Sequence, residues 1–394
     1  MSEKNERIRT SSASSFTEVK NNLMRDKQKH DFEQSKSQQI KDFEKQYIYD
    51  ENKSMRKGVV QENYNDCKYF GGATAKKRNG NGICYFTNGD TYMGEFKDDK
   101  LDGKGVYFFA DGDFYEGELK DGLKYGKGVY TYANGNKYDG AWVEDKKWGP
   151  GTFNYTNSSE CYTGEWANGL RNGKGTFNYK YVVKYSGSWK NNKRDGEGEL
   201  IYSNGTKIKG KWVNDTLGSE VDITYPNQDK YVGEFSDGSR QGNGICNYAE
   251  GSKYEGSWFM DKKQGKGINA YANGDKYEGE WKNGMRSGRG VYFYASGDIY
   301  EGLWTSDKKN QSGKLKFANG DVYDGEWKEG YKHGQGIYIY ANGETYDGQF
   351  VNGVREGFGS FVWKSGENFS GIWNNDKYVE GEFYDVENQK YQIK

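Results

Sequence analysis

Residues 277–299 have the sequence YEGEWKNGMRSGRGVYFYASGDI, and this stretch decides the fold. Tyr277, Gly279 and Trp281 alternate with two glutamates, so the aromatic side chains share one face of a β-strand and the carboxylates share the other. The alternation returns over 292–294, where two tyrosines flank a phenylalanine. The stretch therefore predicts two antiparallel strands joined as a β-hairpin.

The same 23-residue row, with positions numbered 1 to 23 below, repeats fourteen times, and one residue, Cys161, is inserted after the fourth row. Position 3 is Gly in all fourteen rows and position 5 is Trp in nine. A side chain at position 3 would stand between the flanking aromatic rings, so its absence lets the rings lie over the backbone. The rows begin at Tyr69, Tyr92, Tyr115, Tyr138, Tyr162, Tyr185, Ile208, Tyr231, Tyr254, Tyr277, Tyr300, Tyr323, Tyr346 and Phe369.

A single row is too small to fold alone. Ordering its residues costs on the order of 35 kcal/mol, which two or three buried aromatic rings do not return. Successive hairpins must therefore pair edge to edge. The predicted fold is all-β, an elongated single antiparallel twisted sheet of about fourteen tandem hairpins. At about 9.6 Å per hairpin it forms a solenoid-like rod roughly 130 Å long. Asn-Gly pairs such as that within 272–275 predict type I′ turns between hairpins.

The pattern Y-x-G-x-W-x-x-G-x-x-x-G-x-G-x-x-x-x-x-x-G closely resembles the MORN repeat family. The resemblance covers 69–390, preceded by a polar extension (1–55) and a degenerate half-repeat cap (56–68), and followed by a short tail (391–394). Three rows depart from the pattern. The departing residues are Ile208, Ser219 and Val221 in the seventh row, Gln311 in the eleventh, and Glu380 and Glu382 in the last.

The resemblance implies one of three kinds of protein: an enzyme with a separate catalytic domain, a membrane-junction protein with a transmembrane tail, or a free-standing scaffold. Too few residues flank the array for a catalytic domain of a hundred or more residues, and the chain ends without an apolar segment. We therefore expect a non-enzymatic scaffold with no catalytic residues, no cofactor and no metal site.

The N-terminal extension is polar, but it has the form of a helix from about Phe16 to Tyr47, with a capping box that starts at Ser15. A thin apolar stripe includes Phe32, Ile40 and Phe43. Two interpretations remain open. The segment is a solvated or frayed helix, or it is a docking helix that lies on a partner or folds back on the array.

Four cysteines invite a disulfide or a zinc interpretation. Cys84 and Cys246 share row position 16 but lie seven rows apart, roughly 65 Å at the spacing of a sheet, so they cannot meet. No CxxC motif or paired His accompanies the cysteines. We expect reduced thiols that pack as small apolar residues.

Two repeated features are candidate binding surfaces. Position 10, expected in the loop that joins the two strands, is basic in eleven rows, which would place a line of cations along one edge. The second surface is the aromatic face, which this sequence has no obvious helices to cover. The candidate edge for an anionic partner comprises Arg78, Lys124, Lys147, Arg171, Arg194, Arg240, Lys263, Arg286, Lys309, Lys332 and Arg355. The candidate aromatic packing or interaction face comprises Trp142, Trp166, Trp189, Trp212, Trp258, Trp281, Trp304, Trp327 and Trp373.

Two functions compete. The first is a scaffold of a cytoskeletal assembly, similar to the free-standing MORN proteins of ciliary axonemes, notably radial spoke heads, and of protist cytoskeletons. The second is a peripheral membrane adaptor that binds phosphoinositides through the basic edge. A formal net charge of −1 favours the scaffold and argues against nucleic acid as a partner. The expected partners are cytoskeletal or axonemal proteins, or a second copy of the chain, in the cytoplasm or cilium.

Overall fold

The computed structural model describes residues 26–27, 29–180 and 183–394. Its 30 strands belong to one open antiparallel sheet, which confirms the all-β prediction. An α-helix over 29–43 continues into a π-helical turn, Glu44–Ile48, and precedes the strands. The predicted start of this helix at Phe16, and the capping box at Ser15, lie outside the described residues.

Each row supplies two consecutive strands, as its alternating pattern predicts. The strands are Val59–Asn63 (β1), Cys67–Thr74 (β2), Lys77–Phe86 (β3), Thr91–Lys97 (β4), Lys100–Phe108 (β5), Phe114–Lys120 (β6), Leu123–Thr131 (β7), Lys137–Val143 (β8), Lys146–Tyr155 (β9), Glu160–Ala167 (β10), Leu170–Asn178 (β11), Lys184–Lys190 (β12), Lys193–Ile201 (β13), Lys207–Val213 (β14), Thr216–Thr224 (β15), Lys230–Ser236 (β16), Ser239–Asn247 (β17), Lys253–Phe259 (β18), Lys262–Ala270 (β19), Lys276–Lys282 (β20), Met285–Phe293 (β21), Ile299–Thr305 (β22), Lys308–Lys316 (β23), Val322–Lys328 (β24), Tyr331–Ile339 (β25), Thr345–Val351 (β26), Val354–Val362 (β27), Asn368–Asn374 (β28), Lys377–Tyr384 (β29) and Lys390–Ile393 (β30).

The chain divides into two compact units. The first runs to Ser203 and includes Trp212–Thr216, and the second comprises Asn204–Lys211 and Leu217–Lys394. In the second unit the buried core is a continuous cluster of the aromatic residues at positions 1, 5 and 16, extended by aliphatic side chains. In the first unit the same aromatic positions are buried, and a separate cluster forms under the helix.

The two turns of each row differ from the prediction. In the Ala-Asn-Gly turn at 272–274 only Gly274 adopts a positive φ, of 92°, and its N–H donates to the carbonyl of Tyr271 at 3.0 Å. The predicted type I′ turn is therefore wrong here, because Asn273 does not enter the left-handed region. The type I′ geometry belongs to the tighter turn inside each row, where Asn283 and Gly284 have φ of 52° and 87°.

The seventh row keeps its strands although it lacks a tyrosine. At the position where other rows place Tyr, the seventh row has Ile208, whose side chain is too small to cover both position 3 and position 14 as a tyrosine ring does. The space is filled from the partner strand by Val221, which replaces the position 14 glycine and is buried. The departure from the repeat pattern is thus a compensated exchange of one ring for two aliphatic side chains.

The eleventh and fourteenth rows also remain hairpins. Gln311 adopts the positive φ, 61°, that position 12 glycines such as Gly288 adopt. In the last row Gly381, one residue earlier than expected, pairs with Gly371, and the ring of Phe369 covers both. The turn itself has the usual length, since Trp373 pairs with Tyr378 as position 5 pairs with position 10 in the other rows. The shift arises at the bulge between Ile372 and Trp373, where the register changes by one residue instead of two.

The prediction of four reduced cysteines is wrong for two of them. Cys67 lies two residues before Tyr69, and Cys84 pairs with Tyr69 across the β2–β3 ladder, so both side chains are on one face. Their Cα atoms are 5.8 Å apart and the residues form a disulfide. Cys161 and Cys246 are free. Sequence reasoning weighed only a distant pair and missed a neighbouring-strand pair that lies outside the regular repeat.

Candidate interaction surfaces

The tyrosine at position 1 explains the invariant glycines. The ring of Tyr277 lies flat on the paired backbones of Gly279 and Gly290, and its hydroxyl donates to the carbonyl of Glu280 at 3.0 Å. A Cβ atom added to Gly279 would stand 2.5 Å from the tyrosine hydroxyl, and one added to Gly290 would stand 2.3 Å from it. The two glycines at positions 3 and 14 therefore leave room for one tyrosine ring to lie on the backbone. The sequence predicted this role for the glycine at position 3.

The tryptophan at position 5 links neighbouring rows. Trp281 packs edge-to-face between Tyr254 of the preceding row, at 5.4 Å between ring centroids, and Tyr277 of its own row, at 5.2 Å. Its indole N–H donates to the carbonyl of Gly267 at 3.2 Å. All nine tryptophans of the candidate face are between 3% and 6% exposed. The face is therefore already packed by its own rings, and a partner could reach the indoles only at their margins.

The eleven basic residues at position 10 do not lie in a loop, so that part of the prediction is wrong. Each is the second residue of a strand and pairs with position 5 of its own row, as Arg286 does with Trp281. The side chains consequently project from the aromatic face. Because their aliphatic stems cover the rings, the structure arranges them as a line along the aromatic surface.

Arginine at position 10 joins each row to the next. The guanidinium of Arg286 lies 4.4 Å from the ring centre of Trp304, a residue of the following row. Its Nε donates to the carboxylate of Asp307 at 2.9 Å, and its Nη2 donates to the backbone carbonyl of the same residue at 2.9 Å. The side chain is only 18% exposed, and Nε and Nη2 both donate to the same residue of the next row. The cation holds the turn of the next hairpin against the ring ladder.

The sequence contains a signal for this contact, which the repeat pattern alone did not show. Six of the eleven basic residues are arginines, and each is followed 21 residues later by Asp or Asn at position 8. Four of the five lysines face Gly at position 8 of the next row, which for Lys147 is 22 residues later because Cys161 is inserted, and only Lys124 meets an Asp, Asp145. The residue types at two positions in adjacent rows vary together because the two side chains touch.

Lysine at position 10, where no carboxylate faces it, is held mainly by aromatic rings, and Lys263 also donates a hydrogen bond to the amide oxygen of Asn269 at 2.6 Å. Nζ of Lys309 lies 4.5 Å from the ring centre of Trp327 and 5.1 Å from that of Tyr300. Burial lowers the pKa of Lys309, and likewise those of Lys147 and Lys263, to about 8, because desolvation disfavours the ammonium form. These cations are structural, and their charge costs the folded state stability at neutral pH.

Replacement of Lys309 by Met is therefore expected to stabilise the protein, by about 2 kcal/mol at pH 7 once the lost cation–π contacts are subtracted. The pKa of Lys309 is about 8 in the folded chain and 10.5 in the unfolded chain. The charged lysine therefore lowers the free energy of unfolding most below pH 8, and this destabilisation diminishes as the pH rises from 8 towards 10.5. The gain should consequently shrink by more than half at pH 10. Urea unfolding at both pH values measures it, with Lys328→Met, at an exposed position, as the matched control. An equal gain at both pH values would contradict the prediction.

The other face of the sheet has its own pattern, set by positions 2, 15, 17 and 23. In the first two rows these positions are almost entirely apolar, and the N-terminal helix covers them. Phe32 contacts Phe108 and Phe114, with ring centroids 5.9 Å and 5.8 Å apart. Towards the end of the helix Ile48 is fully buried, and Glu44 accepts a hydrogen bond from the hydroxyl of Tyr85 at 3.2 Å. The described part of the helix folds back on the array, which decides between the two interpretations of this segment.

An open groove of about 880 Å³ runs beside this helix. Phe43 and Tyr47 form one wall, and the sheet residues Met93, Val106 and Glu116 form part of its floor. Among the described residues, no cluster of acidic, His or Cys side chains could hold a metal ion, and no helix is long and apolar enough to span a bilayer.

Comparison with known proteins supports the repeat assignment. The family model described as MORN repeat matches twelve segments between residues 74 and 367, and it skips the seventh row. None of the curated proteins compared with the chain matches it.

Solved structures give only weak likenesses. The TCP domain of Drosophila melanogaster SAS-4, solved in complex with a proline-rich motif of Ana2, is 17% identical, covers 38% of this chain and 82% of its own, and has a TM-score of 0.26. A mutant TCP10 domain of Danio rerio CPAP is 8% identical, covers 68% of this chain and 98% of its own, and has a TM-score of 0.15. Scores this low do not establish a shared function.

Proposed function

Because the chain belongs to the MORN repeat family, we propose that it is a non-enzymatic scaffold that binds other proteins within a cytoskeletal assembly. The observation that carries the proposal is that the recurring polar groups of the rows are used between rows. The indole N–H groups of the candidate face donate to backbone carbonyls, except that of Trp212, arginines bind the next turn, and hydroxyls such as that of Tyr292 donate to carboxylates such as Asp275 at 2.7 Å. Rows joined in this way supply a repeated binding surface rather than a reactive centre.

Within that function, we propose the ciliary axoneme, in a role like that of a radial spoke head, as the assembly. The support is the similarity of the repeat rows to free-standing MORN proteins of axonemes. The near-neutral net charge also fits a protein that is held by specific protein contacts rather than by a charged surface.

The competing function, adhesion to phosphoinositides through position 10, asks more of this geometry. Arg240 and Arg286 each have side chains 18% exposed and paired with Asp261 and Asp307. A lipid phosphate would have to replace those partners and uncover tryptophan rings. Desolvated, hydrogen-bonded pairs of this kind are costly to break, so the exposed charge left for a membrane is small.

Cell fractionation tests the proposal. We expect the tagged full chain, expressed in ciliated cells, to remain with the detergent-insoluble axoneme, and the purified chain not to float with phosphoinositide vesicles at low salt. Release by detergent together with salt-sensitive flotation would overturn the scaffold in favour of the membrane adaptor. Release without flotation would contradict the scaffold as well. Retention in the insoluble cytoskeleton outside the axoneme would overturn only the axonemal assignment.

A further inference from the structure

The face of the sheet opposite the ring ladder changes character along the chain. Position 23 is Lys in five consecutive rows, the fifth to the ninth: Lys184, Lys207, Lys230, Lys253 and Lys276. In the tenth and eleventh rows the same position is Ile299 and Val322. A line of lysines of this kind keeps that part of the sheet face solvated and disfavours apolar partners. Their replacement by β-branched apolar residues marks a surface of a different kind.

Strand register gathers these residues into one strip in the second unit. Phe293 pairs with Ile299, and Val322 pairs with Ile339, with Lys316 between the two pairs. Ile337 widens the strip on one side, where it lies between Asp324 and Asp347. We define the C-terminal strip by the residues Phe293, Ile299, Val322, Ile337, Ile339 and Val362.

The first unit shows what such a strip accommodates. Phe108 at position 17 is 1% exposed and Ile83 at position 15 is 0% exposed, because the N-terminal helix covers them. At the same row positions Ile339 is 42% exposed and Ile337 is 43% exposed. The two sites share backbone geometry and apolar side chains, and among the described residues only the first carries a helix. An apolar surface that crosses several strands suits the apolar stripe of a helix.

The residues on one side of the strip are acidic. The line of residues that runs beside the strip at position 2 is acidic in four successive rows: Glu278, Glu301, Asp324 and Asp347. Lysines neutralise two of these, since Lys276 pairs with Glu278 and Lys314 pairs with Asp324 at 3.1 Å. Glu301 and Asp347 are exposed and have no ion pair with any described residue. A helix seated on the strip would therefore gain from Lys or Arg on that margin.

We propose that the C-terminal strip is a docking site for an amphipathic helix of a partner protein, with an apolar stripe and a basic margin. This inference deepens the proposed scaffold function and rests on it. The helix would cross the strands as the chain's own helix does, and would bury Ile299, Val322 and Ile339.

A defined peptide tests the site on the full chain. The probe is a fluorescent amphipathic helix of Leu and Lys, compared with the same composition in scrambled order and with a Leu and Glu helix. The variant Ile299→Thr with Val322→Thr and Ile339→Thr removes apolar surface without adding charge. Thr occupies position 23 in Thr345 and position 17 in Thr224, so the hairpins tolerate it. The matched control is Phe259→Thr with Val351→Thr, exposed apolar residues at position 6, where Thr305 occurs naturally.

We expect the Leu and Lys helix to bind the wild type and the control equally, and to bind the triple variant at least tenfold more weakly. The scrambled and acidic peptides should bind the wild type more weakly than the basic helix. Equal affinity of the triple variant, or equal affinity of the scrambled peptide, would overturn the site. Binding to anionic vesicles that the triple variant abolishes, without peptide binding, would also overturn it. If the site fails while the chain stays in the insoluble cytoskeleton, the scaffold proposal stands and only its docking surface is wrong.

Discussion

Replacement of Gly279 by Val is expected to destabilise the protein by more than about 4 kcal/mol, or to unfold its hairpin. The first carbon of any side chain there would stand 2.5 Å from the hydroxyl of Tyr277 and 2.6 Å from the Cα atom of Gly290. Neither neighbour can yield. The ring is packed against two tryptophans, and the glycine belongs to the paired strand. Val adds a second branch to the clash, so the ring must leave its place.

The seventh row provides the matched control. At Gly210 an added Cβ would meet first the terminal methyl of Leu217, at 2.7 Å, which can rotate away, and then the carbonyl of Glu220 at 3.3 Å. No tyrosine ring rests on this glycine, because position 1 is Ile208. We therefore expect Gly210→Ala to cost well under half of what Gly279→Ala costs, in denaturant unfolding followed by tryptophan fluorescence. Equal costs would mean that the glycine is kept for its backbone freedom and not for the ring.

Repetition made the fold predictable. A period of 23 residues, with alternating aromatic residues on both sides of a turn, specifies hairpins, and the invariant glycine correctly indicated rings lying on the backbone. The apolar residues of the N-terminal segment likewise marked the face that docks. Phe32 and Phe43 are among the helix residues that pack against the sheet in the structure. These features depend on local sequence spacing, which is visible without coordinates.

What the sequence did not predict depends on register between neighbouring elements. The register of the within-row strands shifts by two residues at a bulge between Gly279 and Trp281, which moves position 10 from the expected loop into a strand beside the indole. A bulge leaves no mark in a hydrophobic pattern. The pairing of Cys67 with Cys84 depends in the same way on which residues face each other across two strands. The basic residues were therefore predicted to be exposed to solvent at an edge of the sheet, whereas Arg286 packs against Trp304 of the next row.

Co-variation between rows would have corrected that error. Arginine at position 10 with Asp or Asn 21 residues later, against lysine with Gly, is a statement about contact that a single chain with many repeats can make. The same comparison explains the seventh row, where loss of the tyrosine at position 1 accompanies loss of the glycine at position 14. The rows of a repeat protein can thus be aligned with one another. Rows that depart from the pattern at two positions together indicate which side chains are in contact.

The tryptophan ladder supplies the second large effect. Replacement of Trp304 by Ala is expected to cost about 3 to 5 kcal/mol, because the ring is buried between neighbouring rows and collapse cannot refill a cavity of that size. Its ring packs against Tyr277, Tyr292 and Tyr300, and its indole N–H donates to Gly290. Loss of the ring also uncovers the guanidinium of Arg286, which keeps its ion pair with Asp307 and its more distant contacts with the rings of Tyr277 and Tyr292.

A double-mutant cycle separates the cation–π contact from the packing. With Trp304→Leu and Arg286→Gln as the single changes, the aromatic ring and the charge are removed one at a time and then together. We expect a coupling energy of about 0.5 to 1 kcal/mol in urea unfolding, since the cation sits 4.4 Å from the ring centre and is mostly covered. A second cycle uses Phe350→Leu and Lys332→Gln, where Nζ of Lys332 lies 5.3 Å from the ring centre of Phe350. We expect a smaller coupling energy there, because the ring of Phe has a weaker quadrupole than that of Trp and the distance is longer. Additive single changes would show that the indole of Trp304 does not hold Arg286, and the link from this row to the next would then be the ion pair with Asp307 at the turn.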